Sequence, residues 1–196
     1  MRLETVYLKH VPTNQLVEAE LHVELTDEII VQWKELWCPA MQEICQGRLP
    51  GQKPEDSHWD WQHKIEISRK FLMYQSYSIM CGGKLQGLMI TSDAWTARHK
   101  CHVSKPAVYI PFLATAPWNR VESVSVQYRG VGTVFLAVAI KQSISTGFRG
   151  RIALHALPEA EVFYRKQGLS ELDRDPDHQN LMYFEMTEEG AKRFIA

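Results

Sequence analysis

The chain has 196 residues, of which 45% are apolar and 23% charged, and at about 150 residues per domain this predicts one globular domain. Lysine and arginine number 22, aspartate and glutamate 23, and the formal net charge is −1. This balance argues against a broadly basic nucleic-acid binder, whose pI usually exceeds about 9, although it leaves a local basic patch open. A chain of this length buries about 70% of its unfolded surface, so it needs no disulfide or metal to fold.

The first ten residues contain Glu4, Lys9 and His10 and no apolar block, so we expect no signal peptide. No stretch approaches 18 apolar residues, and we therefore expect no membrane span. Without an export signal, the cysteines are expected to be free thiols in a cytoplasmic protein, and no two of them form a Cys-x-x-Cys pair. They are Cys38, Cys45, Cys81 and Cys101.

The first third of the chain predicts strands followed by helices. Residues 2–25 alternate loosely and favour one or two strands interrupted by Pro12-Thr13-Asn14. Thr26 is expected to cap a helix that Pro39 breaks or kinks. Residues 47–54 predict a loop, since they contain two prolines and two glycines.

A second, short helix is predicted next. Ser57 and Asp60 resemble a capping box, and this helix would carry Trp59 and Trp61.

The middle of the chain predicts a hairpin and a long strand. Residues 71–80 and 85–91 favour strands joined by a turn at Gly82-Gly83. Residues 92–105 are polar and predict a loop. Residues 107–115 predict an apolar strand that bulges or lies unpaired at Pro111, because proline has no N–H to donate.

The last third alternates helices with strands. Residues 134–140 are continuously apolar and predict a buried helix bounded by Gly132 and Gly147. A strand over 152–157 and a helix from Pro158 to Gly168 follow. The chain then ends with a strand over 181–186 and a short helix capped by Thr187.

Together these elements predict an α/β fold with one central sheet.

The most informative motif lies between an apolar strand and an apolar helix. Its sequence is Gln127-Tyr128-Arg129-Gly130-Val131-Gly132-Thr133. Glycines let the backbone approach a ligand, and the N–H groups at a helix N-terminus favour an anion such as a diphosphate. The spacing matches neither a Walker A loop nor a dinucleotide fingerprint, and a plain glycine turn that starts a helix has the same appearance.

A second motif follows about 30 residues later, as Ala160-Glu161-Val162-Phe163-Tyr164-Arg165-Lys166-Gln167-Gly168. Tyr164 on this short helix can act as a general acid, or it can be a core aromatic residue whose hydroxyl is satisfied.

In this order and spacing, the two motifs resemble the GNAT-type N-acetyltransferases. Gln127, Gly130 and Gly132 fill that family's acetyl-CoA motif, Gln/Arg-x-x-Gly-x-Gly/Ala. The stretch from Tyr164 to Leu169 resembles its Tyr-x-x-x-Gly-Phe signature, with leucine in place of phenylalanine. The resemblance implies a single, mixed, mostly antiparallel sheet flanked by helices, with splayed central strands. It implies one domain, in which residues 1–70 shape the acceptor side, 71–186 bind acetyl-CoA and 187–196 form a C-terminal helix.

The resemblance also implies roles for individual residues. The backbone of Leu113, Ala114 and Thr115 would pair with pantetheine, and the amides of Tyr128, Arg129, Gly130, Val131, Gly132 and Thr133 would hold the pyrophosphate. A substrate amine would attack the thioester, and Tyr164 would protonate the departing thiolate.

The general base is not evident from the sequence. Many relatives carry a carboxylate on the strand before the pyrophosphate loop and an asparagine after the next strand, and here neither is present. His155 and Glu159 are therefore the candidate residues, acting through water, and Glu122 lies in the longer segment 117–126. That segment would either cover the acceptor site or form a surface loop.

The tryptophans and the histidine–cysteine cluster are expected to be mainly structural. Trp33 and Trp37 are expected in the core, while Trp59, Trp61 and Trp118 are either buried or part of an aromatic acceptor pocket. His99, Cys101 and His102 fit no zinc spacing, so no metal is expected.

The sequence therefore predicts a monomeric or homodimeric enzyme that uses acetyl-CoA as co-substrate and acetylates a small-molecule or peptide amine, without nucleic-acid or membrane partners. Two alternatives stay open. One is a toxin that acetylates aminoacyl-tRNA, and the other is a non-catalytic acyl-CoA-binding regulatory domain.

Overall fold

A computed structural model describes residues 2–49, 52–120, 123 and 126–196. The described strands are β1 (Arg2–His10), β2 (Gln15–Val23), β3 (Tyr74–Cys81), β4 (Lys84–Thr96), β5 (Pro106–Thr115), β6 (Tyr128–Arg129), β7 (Ile152–Ala156), β8 (Ser170–Asp175) and β9 (Leu181–Met186). The α-helices are α1 (Asp27–Gln32), α2 (Cys38–Gln46), α3 (Trp61–Ser68), α4 (Val131–Ser145), α5 (Glu161–Lys166) and α6 (Glu188–Ile195). No helix among the described residues has the length and apolar character needed to cross a membrane.

The strands form one mixed sheet in the order β6-β1-β2-β3-β4-β5-β7-β9-β8. The pairs β1–β2, β2–β3, β7–β9 and β8–β9 are antiparallel, and β5–β7 is parallel. This mostly antiparallel sheet with flanking helices confirms the predicted fold class.

The chain divides into two compact units. The first comprises residues 1–90 and 113–134, and the second comprises 91–112 and 135–196. The core of the first contains Leu8, Leu21, Ile65, Ile79 and Leu88, all almost completely buried. The core of the second is built around α4 and β9, where Phe135, Leu136, Ile140, Tyr183 and Phe184 are equally buried.

The first helical region departs from a regular α-helix just before Pro39. Of the two predicted outcomes, a break is wrong, because a π-helical turn, Trp33–Trp37, joins α1 directly to α2. Proline has no N–H for the carbonyl four residues earlier, and the wider turn, closed by the Cys38 N–H on the Trp33 carbonyl, accommodates it.

Helix α3 also begins differently from the prediction. Asp60 alone caps it, accepting the His63 N–H at 3.0 Å, so Ser57 is not the cap and Trp59 precedes the helix.

Two strand predictions need correction. The strand predicted from residue 71 begins at Tyr74, and β4 continues to Thr96 through residues predicted as loop. β8 was not predicted because its sequence, SELDRD, is polar. The hairpin turn is confirmed: Gly82 and Gly83 have φ of +59° and +72°, where side chains are disfavoured.

Helix α4 begins at Val131, so Gly132 lies in its first turn rather than at its boundary. Its other predicted boundary, Gly147, has a φ of +81°. Thr187 caps α6 as predicted, accepting the Gly190 N–H at 3.1 Å.

Candidate functional site

The glycine motif forms a strand-to-helix turn in the first unit. Tyr128 and Arg129 form the short edge strand β6, Gly130 makes the turn with a φ of +99°, and α4 starts at the next residue. Apart from the neighbours of Gly130 in the chain, no atom of a described residue lies within 4 Å of where a Gly130 side chain would begin, so the backbone there has space for a ligand. The first intrahelical bond joins the Val134 N–H to the Gly130 carbonyl at 2.8 Å. The N-terminal end of an α-helix has a positive character that favours an anion.

A buried glutamine holds this turn in place. Gln86 on β4 is fully buried, and its side-chain oxygen accepts from the indole of Trp118 at 3.0 Å and from Asn119 Nδ2 at 2.8 Å. The Asn119 side-chain oxygen in turn accepts the Tyr128 N–H at 2.9 Å. The strand β6 is thus connected to β4 through the side chains of Gln86 and Asn119. Gln86 could not be predicted from the sequence, because a single glutamine in an apolar strand gives no recognisable signal.

Two cations lie beside the turn on neighbouring strands. Lys9 on β1 is directly opposite Arg129 on β6, and both side chains are exposed. Like charges directly across an antiparallel pair repel each other, and a bound anion relieves that repulsion. The turn therefore has the donors and the charge that a diphosphate requires.

The parallel strands of the second unit separate after a short contact. β5 and β7 pair at Val108–Ile152 and Tyr109–Ala153, yet each continues for three residues inside this unit without further pairing to the other. The described register between these two strands therefore ends at Tyr109 and Ala153, and the strands part beyond it. Leu113, Ala114 and Thr115, the residues predicted to bind pantetheine, continue β5 into the first unit.

Tyr164 lies on α5 with 6% of its surface exposed. Its ring packs against Phe163 and Phe184, with centroid separations of 5.1 and 5.8 Å. Its hydroxyl forms no hydrogen bond with any described residue. Burial raises the pKa of this phenol, so it remains protonated at neutral pH and can donate to a ligand.

His155 on β7 is held at both ring nitrogens. Nε2 lies 3.0 Å from Asp175 Oδ2, and Nδ1 lies 2.7 Å from the Tyr109 hydroxyl. The pKa of Asp175 is held well below its usual range, chiefly by the Arg98 guanidinium 2.6 Å away, so this carboxylate only accepts. Nε2 therefore carries the proton, and Nδ1 accepts from Tyr109.

Burial lowers the pKa of His155 to about 4 and outweighs the opposing effect of Asp175. The ring is consequently neutral at pH 7 and a weak base.

Comparison with known proteins supports the fold directly. No family model matches the chain, and no curated protein is found as a relative. Among solved structures, the PaiA N-acetyltransferase from Thermoplasma acidophilum in complex with coenzyme A aligns with a TM-score of 0.53 at 14% identity, over 84% of this chain and 97% of that one. A variant of the toxin AtaT bound to the C-terminus of the antitoxin AtaR aligns with a TM-score of 0.53 at 16% identity, over 90% and 97%. A predicted acetyltransferase with acetyl-CoA from Clostridium acetobutylicum gives 0.50 at 13%, over 80% and 93%.

The chain has the fold of the GNAT-type N-acetyltransferases. In this GNAT fold, the glycine turn at the start of α4 and the end of β5 at Leu113, Ala114 and Thr115 are the two features to which the sequence resemblance assigned acetyl-CoA.

The remaining candidate base residues have different surroundings. Glu159 is exposed on the 3-10 turn Pro158–Ala160 that follows β7. Glu122 lies outside the described residues, as do 121, 124 and 125 of the segment predicted either to cover the acceptor site or to form a loop. The described part of that segment begins with the 3-10 turn Pro117–Asn119.

The GNAT fold of this chain also brings together residues that the sequence analysis did not connect. His155 and His178 stack at 4.0 Å, both within hydrogen-bonding distance of Asp175. Among the described residues, these three form the one group whose ligand atoms are close enough for a metal ion. The Arg98 guanidinium shares the same carboxylate oxygen and disfavours a second cation there.

The loop cluster considered from sequence, His99, Cys101 and His102, has other contacts. The His99 N–H donates to Glu185 and its ring accepts from the Cys101 N–H, while His102 lies 3.7 Å from Glu188.

Proposed function

We propose that this protein is an N-acetyltransferase that moves the acetyl group of acetyl-CoA to a primary amine by direct attack on the thioester. The observation that carries the proposal is the turn at Gly130. An open positive-φ glycine, a helix N-terminus and two exposed cations together favour a diphosphate. The CoA-bound neighbours of the same fold support it further.

In this proposal the backbone supplies most of the acetyl-CoA contacts. The amides that follow Tyr128, up to Thr133, hold the pyrophosphate, while the Tyr128 N–H stays on the Asn119 side-chain oxygen and fixes the start of the turn after Gln127. The backbone of Leu113, Ala114 and Thr115 pairs with pantetheine. The exposed Gln127 anchors its own end of the turn, since its carbonyl accepts the Val11 N–H at 2.8 Å.

The chemical step exchanges a C–S bond for a C–N bond. The amine nitrogen attacks the carbonyl carbon, the thiolate departs, and Tyr164 donates its phenolic proton to that sulfur. The buried hydroxyl suits this role because it is protonated at neutral pH and has no hydrogen bond with described residues that a ligand must displace. The proton that the amine loses then restores the phenol through solvent.

Water, rather than one dedicated side chain, removes the amine proton in this scheme. His155 is a weak base with both nitrogens engaged, so it acts as a positioning residue that orients the Tyr109 hydroxyl. Glu159 is exposed and can contribute only as one of several groups around such water.

Acetyl-CoA turnover against a panel of amines, with free CoA as the readout, tests the proposal. We expect CoA to bind in calorimetry and at least one amine to accelerate CoA release. Absence of CoA binding by the folded protein would refute the proposal. CoA binding without acceleration by any amine would favour the non-catalytic alternative, while activity only with aminoacyl-tRNA would favour the toxin alternative.

A further inference from the structure

The first unit contains a pocket lined by tryptophans, which we call the tryptophan pocket. It has a volume of about 300 Å³ and is lined by Trp33, Trp37, Asp56, Trp59, Trp61 and Arg120, among others. This volume is at the lower end of ligand pockets, which span roughly 300–1,000 Å³, and it suits a molecule with one or two rings. All lining residues belong to the first unit.

The aromatic walls of the pocket are held by the surrounding structure. Trp37 is buried, donates its indole N–H to the Leu85 carbonyl at 3.0 Å and meets Trp118 edge-on. Trp59 and Trp61 also meet edge-on, with centroids 6.0 Å apart. Fixed ring faces bind a flat apolar body with little loss of side-chain freedom.

Trp33 differs from its neighbours in the pocket. It is half-buried, and it forms no hydrogen bond with any described residue. Its indole N–H is therefore able to donate to a ligand, while its ring provides an apolar face. The π-helical turn places Trp33 and Trp37 at its two ends, and such turns frequently occur at functional sites.

The charges around the pocket are paired. Asp56 and Arg120 form a two-bond ion pair, one of whose bonds is 2.8 Å, and both side chains are largely buried. Asp60 caps α3 and also favours the charged form of Lys64, whose ammonium lies 5.0 Å from the Trp59 ring centre. Neither carboxylate is left without a nearby cation. The pocket therefore has little to attract a molecule with several positive charges, such as a polyamine or an aminoglycoside.

A largely apolar pocket also favours the uncharged form of an amine. Burial lowers the pKa of Lys64, whose ammonium lies 5.0 Å from the Trp59 ring centre, and burial among the tryptophans would act in the same direction on a bound substrate ammonium. The neutral amine is the form that attacks a thioester, so such a pocket compensates in part for the missing carboxylate base.

From these features we infer that the tryptophan pocket binds the acceptor, and that the acceptor is a small primary amine carried on a single flat aromatic body. This inference rests on the proposed acetyltransferase function and specifies its substrate class. The indole of Trp33 and the edge-on Trp59–Trp61 pair hold the ring, and the amine is the one ionisable group of the ligand.

Binding measured without turnover tests this inference. The probes are 2-phenylethylamine and tryptamine as aromatic amines, and spermidine and kanamycin as multiply charged ones. We expect both aromatic amines to bind at least tenfold more tightly than either polycation, in calorimetry with the CoA-loaded protein. Equal or tighter binding of spermidine or kanamycin would overturn the inference.

Variants of the pocket provide the second part of the test. Trp33→Ala should weaken 2-phenylethylamine about tenfold, whereas Trp33→Phe, which retains a ring, should weaken it less than threefold. Phe71→Ala is the matched control, because this aromatic residue is exposed outside the pocket, and its amine affinity should not change. If circular dichroism shows Trp33→Ala unfolded, Trp59→Leu takes its place with the same expected loss.

CoA binding separates this inference from the proposed function. If CoA binds and amines turn over, but the tryptophan variants bind 2-phenylethylamine as wild type does, the pocket assignment is wrong and the acetyltransferase stands. If 2-phenylethylamine depends on the tryptophans as expected but CoA does not bind, the aromatic-amine site is confirmed, the acetyltransferase proposal fails, and with it the acceptor role of the site.

Discussion

Replacing Gln86 by leucine should destabilise the protein and weaken CoA binding together. The substitution preserves approximate volume and removes four side-chain hydrogen bonds: two accepted from Trp118 and Asn119, and two donated to the carbonyls of Cys81 and Lys84. At about 1 kcal/mol per bond, the free energy of unfolding should fall by about 3–4 kcal/mol. That is a large share of a typical stability of about 5–15 kcal/mol, but the protein should still fold.

The effect on CoA follows from the chain of contacts. Without Gln86, Asn119 loses the partner that orients its side-chain oxygen toward the Tyr128 N–H, and the glycine turn must be ordered by the ligand instead. Ordering one backbone residue costs about 1–2 kcal/mol, which corresponds to CoA binding weaker by about tenfold. Urea denaturation measures the first effect, and calorimetry with CoA measures the second.

Gln32→Leu is the matched control for this experiment. Gln32 also bonds backbone groups in the first unit, the Gly83 carbonyl and the Leu85 N–H, and neither of these bonds involves residues 117–119. We expect a loss of about 1–2 kcal/mol in stability and unchanged CoA affinity. A loss of less than about 1 kcal/mol in the Gln86→Leu protein would contradict a stabilising role for Gln86. Equal weakening of CoA binding by Gln32→Leu would contradict the link from Gln86 to the glycine turn.

Three further outcomes are expected. Gly132→Asp should abolish CoA binding in calorimetry while the circular dichroism spectrum stays native. An acidic residue is favourable in the first turn of a helix but repels a diphosphate. Unchanged CoA affinity would contradict the assignment of this turn as the diphosphate site. Tyr164→Phe should lower kcat by about 10²–10⁴ with CoA affinity nearly unchanged, and an equally active variant means that the thiolate leaves without this acid. His155 has a pKa of about 4 in the folded protein and 6.5 unfolded, so the unfolded chain binds the extra proton. The free energy of unfolding should therefore fall as pH drops from about 6.5 to 4. The fall is at most about 3 kcal/mol, and solvent screening makes it smaller than that. Urea denaturation of His155→Gln should show a smaller fall over that range, and an identical profile removes His155 as its cause.

The parts of the fold that could be predicted are those specified by neighbouring residues. Gly82-Gly83 determines a hairpin turn locally, and the apolar stretch after Gly130 determines a buried helix, so both were predicted. The polar strand β8 could not be, because its partner β9 supplies the pairing and its own residues give no apolar alternation.

The network around His155 shows the corresponding limit for the candidate site. Tyr109 and Asp175 lie 46 and 20 residues from His155 in the chain, and only the sheet brings them into contact. Trp95, which stacks on Tyr109 at 4.2 Å, lies in a stretch whose polar composition predicted a loop. Side chains that meet across strands leave no spacing pattern in one sequence, whereas the glycine motif depends on consecutive backbone groups and does.

Because of the π-helical turn at Trp33–Trp37, the direction in which the side chains of α2 point depends on the number of residues in that turn. An α-helix advances about 100° per residue, and a single π turn shifts everything after it by about one residue relative to an uninterrupted α-helix. Deleting one residue inside the turn would restore the regular pitch and rotate α2 by that angle, which would carry Met41 and Cys45 away from the side they share with Trp37. A one-residue length change in this helix is therefore a larger alteration of the tryptophan pocket than most substitutions in its wall, and it would leave the register of the sheet unchanged.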